Sequence, residues 1–248
     1  MIMKVFKELF YKMDRQVPGS KEYTLKAAEM VGLGDLPANS KVLDAGCANG
    51  NAAFALLEKY PIVVSAVDID ANSLKSLEEK AAALNVSDRI SVYNKSMIDL
   101  DFENDSFDVI WSEGAIHNVG FYKGISYLKR FLKPGGKIVV SDLTWIKDNP
   151  PDEVFWYWKE NYPGMTGIQE NIKAMEKAGL KCVGHFAIGK DGFWDNYYKL
   201  MYTHINYFQQ KFVKNSKAQE QLEELQTEMD YFVKFGDYYS YVFFIGEK

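Results

Sequence analysis

Cysteine is scarce in this chain. Cys47 and Cys182 are the only two, and they stand far apart. That excludes a disulfide-scaffolded fold and any cysteine spacing typical of a metal site. No long apolar run is present, and none approaches the roughly 20 residues that span a bilayer. The opening residues, MIMKVFKELFYKMDRQ, break their apolar positions with charges and lack a signal-peptide core. Positive charge is also in short supply. The net charge is −5, and Lys and Arg form no extended cluster, which speaks against a general nucleic-acid surface. Repeats and low-complexity segments are missing. A cytoplasmic, soluble protein without a membrane span is the expectation, and its oligomeric state stays open.

What is present supports a globular core. Of the 248 residues 47% are hydrophobic, enough to fill one large domain. Aromatic residues reach 15% and concentrate after residue 144, in WIKDNPPDEVFWYWKENYPG and GFWDNYYKLMYTHINYFQQKF. Such rings suit helix packing and also suit the cover of an apolar pocket.

A helix is expected over 2–13, a break at QVPGS, and a second helix over Lys21–Met30 with Ser20 as its cap. Strands over Lys41–Ala45, 63–67, 90–93, 108–112 and 137–143 then alternate with helices over 52–59, 72–84 and 122–131. Asp70 is placed to cap the second of these helices, and KPGG reads as a turn. The strands are continuous β-branched runs rather than alternating ones, which fits parallel strands covered on both faces. After KDNPPDE come a short aromatic helix, a helix over Ile168–Lys177, a strand over 182–188, two long helices over 196–212 and 218–235, and a last strand in YYSYVFFIG. The fold class is α/β, a doubly wound and mostly parallel sheet of seven strands. N-terminal helices precede it, and an aromatic-rich helical insertion, the expected lid, precedes the last strand. One domain is expected over 1–248, with its core in 36–190 and 237–248 and cap elements in 1–34 and 194–235.

The stretch KVLDAGCANGN ends a buried strand on Asp44 and spends Gly46 and Gly50 on the turn into a helix. Ligands of such sheets bind beyond the carboxyl ends of the strands. The glycines admit a close backbone approach, and the helix start offers free N–H groups. Asp68, at the end of the second strand, is placed to accept from both hydroxyls of a ribose. A nicotinamide cofactor would call for G-x-G-x-x-G, whereas GCANG spaces its glycines G-x-x-x-G.

These residues resemble motif I of the class I S-adenosylmethionine-dependent methyltransferases. AVDID is similar to the ribose-binding segment of that family. NKSMIDLDFENDSFDVIWSEGAIHNVG is similar to its adenine segment, fourth strand and active-site loop, and LKRFLKPGGKIVVSD to the helix and strand that follow. The resemblance covers about 41–142 and is nearest to the small-molecule branch that includes the ubiquinone/menaquinone-biosynthesis enzymes. It implies a Rossmann-like methyltransferase fold, S-adenosyl-L-methionine as cofactor and a small, partly apolar acceptor. It assigns Asp44, Gly46 and Gly50 to the methionine end, Asp68 to the ribose, Ile69 to the adenine face, and Ser96 and Met97 to the adenine edge. Arg15 or Ser20 would reach the cofactor carboxylate. Two departures stand out: Ala48 replaces the middle glycine, and Ser96 stands where an acid is common.

Methyl transfer relies on positioning, and a base is needed only where the nucleophile must lose a proton. His117 and Glu113 follow the fourth strand and are the candidate catalytic residues. Glu113 is alternatively a partner for the cofactor ammonium. His185 and His204 are weaker candidates, and no metal site is expected. Three other functions compete: a non-catalytic cofactor-binding module acting on a protein partner, an NAD-dependent oxidoreductase, and a nucleic-acid methyltransferase. Glycine spacing disfavours the oxidoreductase. The missing basic face disfavours nucleic acid.

Overall fold

The computed structural model describes Tyr11, Met13 and residues 15–248. The helix expected over 2–13 falls outside the described residues apart from Tyr11 and Met13. The first described helix is α1 (Lys21–Met30), where the Ser20 hydroxyl accepts from the Tyr23 amide at 3.4 Å. The alternating part follows as β1 (Lys41–Ala45), α2 (Asn51–Lys59), β2 (Val63–Asp68), α3 (Ala71–Ala83), β3 (Ile90–Asn94), β4 (Phe107–Glu113), α4 (Phe121–Leu128) and β5 (Leu132–Trp145). Asp70 caps α3, accepting from the Ser73 amide at 3.1 Å.

The seven strands lie in the order β3-β2-β1-β4-β5-β7-β6, where β6 spans Lys181–Ala187 and β7 spans Tyr239–Glu247. Only β7 runs antiparallel to its neighbours. Alternate residues of the inner strands feed opposite faces, as the two-residue period requires. Val42, Val64, Val109 and Val139 join one core, and Leu43, Val67, Ile110 and Ile138 join the other. Both faces are buried, which explains strands that read as unbroken apolar runs. Strand order reverses between β1 and β4, and the crevice beyond their carboxyl ends is where ligands of such sheets bind.

Two expectations need correction. KPGG is not a free turn but an irregular entry into β5. Phe107 pairs with Leu132 and Val109 with Lys137, so the extra residues bulge out, with Gly135 at φ +75°. The helix expected from 196 instead begins with a π-helix over Asp191–Tyr198, continuous with α7 (Lys199–Lys211). Within its widened turns Phe193, Tyr197 and Tyr198 are all buried.

The aromatic insertion packs through its rings. Helices α5 (Asp152–Asn161) and α6 (Ile168–Lys177) precede β6, and α8 (Ser216–Phe235) precedes β7. Phe193 stacks on Phe232 at 4.4 Å, and Tyr157 stacks on Tyr231 at 4.2 Å. Trp158 meets Tyr239 of β7 edge-on at 5.2 Å. Ring contacts thus hold α5 and α8 together and anchor both to the sheet.

Candidate active site

Two cavities meet at the reversal point. The smaller, about 170 Å³, is lined by Arg15, Asp44, Gly46, Ala48, Asp68 and Glu113, among others. The larger, about 430 Å³, is lined by His117, Trp158, Tyr162 and Glu228, among others. Gln16, Val17, Gly114 and Asn118 border both.

The smaller cavity is built by the turn after β1. Gly46 sits at φ +83°, and a side chain there would lie 2.3 Å from the Ala115 Cβ and 2.9 Å from the Met97 Cε. Only glycine lets this loop lie against the segment after β4. Ala48 also adopts a left-handed conformation, φ +47°. Its amide donates to the Asp68 carboxylate at 2.8 Å, and the Asp70 amide donates to the other oxygen at 2.9 Å. Asp68 therefore holds its own loop and the glycine turn, and each oxygen keeps a further lone pair for a ligand.

Asp44 is 2% exposed, and its Oδ2 has no hydrogen-bond partner. Burial, then the nearby Asp68 charge, pushes its carboxyl up to about 7. A buried carboxylate oxygen without a donor, beside a cavity, suits an incoming ammonium. Arg15 reaches the same cavity. Its guanidinium pairs with Glu113, its Nε lacks a partner, and burial brings its pKa down to about 10.

Glu113 is more occupied than the sequence suggests. Besides Arg15 it accepts from Thr24 at 3.0 Å and from the Trp111 indole at 3.2 Å. The carboxylate thus ties α1 and the segment around Arg15 to the end of β4. Val17 follows on the same segment, against Gly114, where an added Cβ would lie 1.9 Å from the Val17 Cγ2.

His117, in the short turn Ile116–Asn118, faces the larger cavity. Its Nδ1 lies 4.0 Å from the Asp142 Oδ1, too long for a hydrogen bond, and its ring meets Tyr162 edge-on. Burial lowers the His117 pKa, favouring the neutral imidazole. Asp142 is buried at the end of β5 and accepts from the Tyr162 hydroxyl at 2.7 Å; burial raises its carboxyl to about 7.

Arg15, Asp44, Gly46, Asp68 and Glu113 are brought together around the smaller cavity. Gly50 caps α2 at φ +85°. Met97 is buried against Gly46, and the Ser96 hydroxyl accepts from the Ile98 amide at 3.4 Å. Ile69 is 74% exposed beyond Asp68. Ser20 lines neither cavity; it borders an outer groove with Lys21 and Phe54, to which Arg15 and Asn51 of the smaller cavity also contribute. His185 in β6 packs against Phe244 of β7, and neither it nor His204 lines these cavities. Among the described residues no group of His, Cys, Asp and Glu could hold a metal, and no helix is long and apolar enough to cross a membrane. Asp142 and Glu228 were missed. Asp142 carried a usable signal, an acid ending an apolar strand like Asp44 and Asp68. Glu228, mid-helix among other acids, carried none.

The sheet with its flanking helices is the Rossmann-like methyltransferase fold. Residues 42–136 match the family described as a methyltransferase domain. Phosphoethanolamine N-methyltransferase 1 of Triticum aestivum is 29% identical over 148 residues, 59% of this chain and 29% of that protein. Sarcosine/dimethylglycine N-methyltransferase of Aphanothece halophytica is 32% identical over 119 residues, 48% of this chain and 43% of that protein. The chain therefore spans less than half the length of these curated relatives. Among solved structures, an SAM-dependent methyltransferase from Geobacter sulfurreducens in complex with S-adenosyl-L-homocysteine superposes with a TM-score of 0.83. It is 19% identical, over 98% of this chain and 97% of that one.

Proposed function

We propose that this protein transfers a methyl group from S-adenosyl-L-methionine to a small-molecule acceptor. The observation that carries the proposal is the orphaned Oδ2 of buried Asp44 beside a glycine turn that no side chain could fill. An amino-acid ammonium satisfies that oxygen, and Arg15 offers donors to the carboxylate. Asp68 offers its remaining lone pairs to the ribose, with Ile69, Ser96 and Met97 toward the adenine. When bound, the cofactor supplies an electrophilic methyl group on a sulfonium. The chain then has to position the acceptor, exclude water and take a proton where one must leave. His117 is placed for the proton, and Glu113 we assign to orienting Arg15. Residues 145–162 and 194–235 roof the acceptor side. The methyltransferase-domain match and the named relatives support small-molecule methylation. The quinone-biosynthesis branch is supported by core motifs alone, and the acceptor cavity adds nothing to it.

Calorimetry with S-adenosylhomocysteine tests this. The wild type should bind it, and Asp68→Ala should bind about 10–150-fold more weakly, the loss expected for a charged hydrogen-bond acceptor. Unchanged affinity in a folded variant, or tighter binding of NADH by the wild type, would sink the proposal.

A further inference from the structure

The larger cavity contains a feature that methyl transfer alone does not require. Glu228 projects from α8 into a wall of rings, and its Oε1 accepts from the Tyr198 hydroxyl at 2.5 Å. Phe193 lies 5.2 Å from Tyr198 and 5.7 Å from Tyr241, and Tyr197 lies 5.3 Å from Tyr198, so the rings form a continuous surface beside the carboxylate. Trp158, itself buried, closes the wall.

The counter-charge is missing. No lysine or arginine lines this cavity among the described residues. No cation is paired with Glu228 among them either. The second acid nearby, Asp142, accepts from Tyr162 and faces His117, and it adds no positive charge. A carboxylate set among aromatic rings repels anions through its own charge, and aromatic faces carry negative potential as well. Both attract an organic cation, and the rings do so without the strong hydration that a small metal ion would have to lose.

We propose that the larger cavity is an organic-ammonium site, with Glu228 and the rings of Trp158, Phe193, Tyr197, Tyr198 and Tyr241 holding the cationic end of the acceptor. This rests on the methyltransferase proposal above and narrows its acceptor class. The cationic end lies toward the lid and the reacting end toward His117 and Gly114, where the two cavities meet. Acceptors bearing phosphate or carboxylate at the lid end are excluded, because nothing there neutralises them. Burial raises the Glu228 pKa, and a bound cation favours its ionised form, so affinity is best read at pH 8.

The test is calorimetry at pH 8 on the full chain, with and without saturating S-adenosylhomocysteine. The probes are choline, its neutral isostere 3,3-dimethylbutan-1-ol, and phosphocholine. Choline should bind at least about tenfold more tightly than either other probe. Glu228→Gln keeps the shape and an acceptor for Tyr198, so a melting curve should show it folded. In this variant the preference over the neutral isostere should fall several-fold, leaving what the rings alone supply. Equal affinity for choline and the isostere, no choline binding at tens of millimolar, or an undiminished preference in Glu228→Gln would each overturn the proposal. S-adenosylhomocysteine binding is read in the same titrations. Its failure counts against the methyltransferase function, whereas its success with choline failing counts against the ammonium site alone.

Discussion

Asp44 should make cofactor binding release a proton. Its carboxyl sits at about 7 in the free protein because burial, and then Asp68, disfavour the charge. At pH 6 such a group is about nine-tenths protonated. An ammonium placed against Oδ2 favours the carboxylate and should lower its pKa by roughly 1–3 units. Binding at pH 6 then expels about 0.4–0.9 of a proton, and at pH 8 almost none. The same linkage makes the affinity for S-adenosylhomocysteine rise about five- to tenfold from pH 6 to pH 8. Titrating at pH 6 in buffers of different ionisation enthalpy measures the release directly. Asp44→Asn removes the titrating group, so both the release and the pH dependence should vanish, with weaker binding at pH 8. Release that persists in Asp44→Asn, or a wild type whose binding heat ignores the buffer, would refute the reasoning. Stability of the free protein follows the opposite sense. Because the folded carboxyl titrates above its unfolded value, stability is full below about pH 4 and declines as pH rises toward 7, and Asp44→Asn should flatten that decline.

Two further substitutions probe other parts of the site. With an acceptor found by screening amines, phenols, quinols and thiols, His117→Gln should lower turnover by about 10²–10⁴ and leave S-adenosylhomocysteine affinity nearly unchanged. Since burial depresses the His117 pKa, the wild-type rate should fall only as pH drops below the ordinary histidine range, and a Gln variant retaining that limb would exclude His117 as the base. Ala48→Gly should relieve a left-handed alanine worth about 1–2 kcal/mol, offset by about 0.4–1 kcal/mol from the looser unfolded chain. The net gain should raise Tm by about 1–3 °C, and a lower Tm in calorimetric melting would contradict the strain assignment.

The core was legible because its signals are local. β-branched runs, a glycine turn and the strand-end acids Asp44 and Asp68 each report on a few consecutive residues, and the sheet arranges them as the pattern implies. The KPGG entry to β5 was misread because its pairing depends on β4 and on the Lys248 carbonyl, which accepts from Gly135 at 3.0 Å. Nothing within four residues announces such a partner. The same limit hid the chemistry of the lid. Its ring density was plain, but whether Glu228 faces solvent or the cavity depends on which side of α8 meets Phe193 and Tyr198. Glu223, Glu224 and Glu228 are equivalent as letters, and only packing singles out the last.

That difference between local and distant signals follows the division of labour in the site. In the Asp44–Asp68 cavity the acids and the glycine turn come from one strand–turn–helix unit and the strand end beside it, so a short stretch determines that part, while Arg15 and Glu113 complete it from elsewhere in the chain. The cavity around His117 is assembled from Gly114, Asn161, Phe193, Glu228 and Tyr241, drawn from five separate parts of the chain. Changes in any one of those parts reshape it without disturbing the sheet. The segment around Arg15 joins the two. Arg15 is tied to Glu113 on the cofactor side, while two residues on Val17 packs against Gly114 and borders both cavities. The pairing and the contact fix the same short stretch, so ordering the smaller cavity also fixes one wall of the larger. Specificity for the acceptor can therefore vary in the lid while this shared wall keeps the reacting end in register with the turn that holds Asp44.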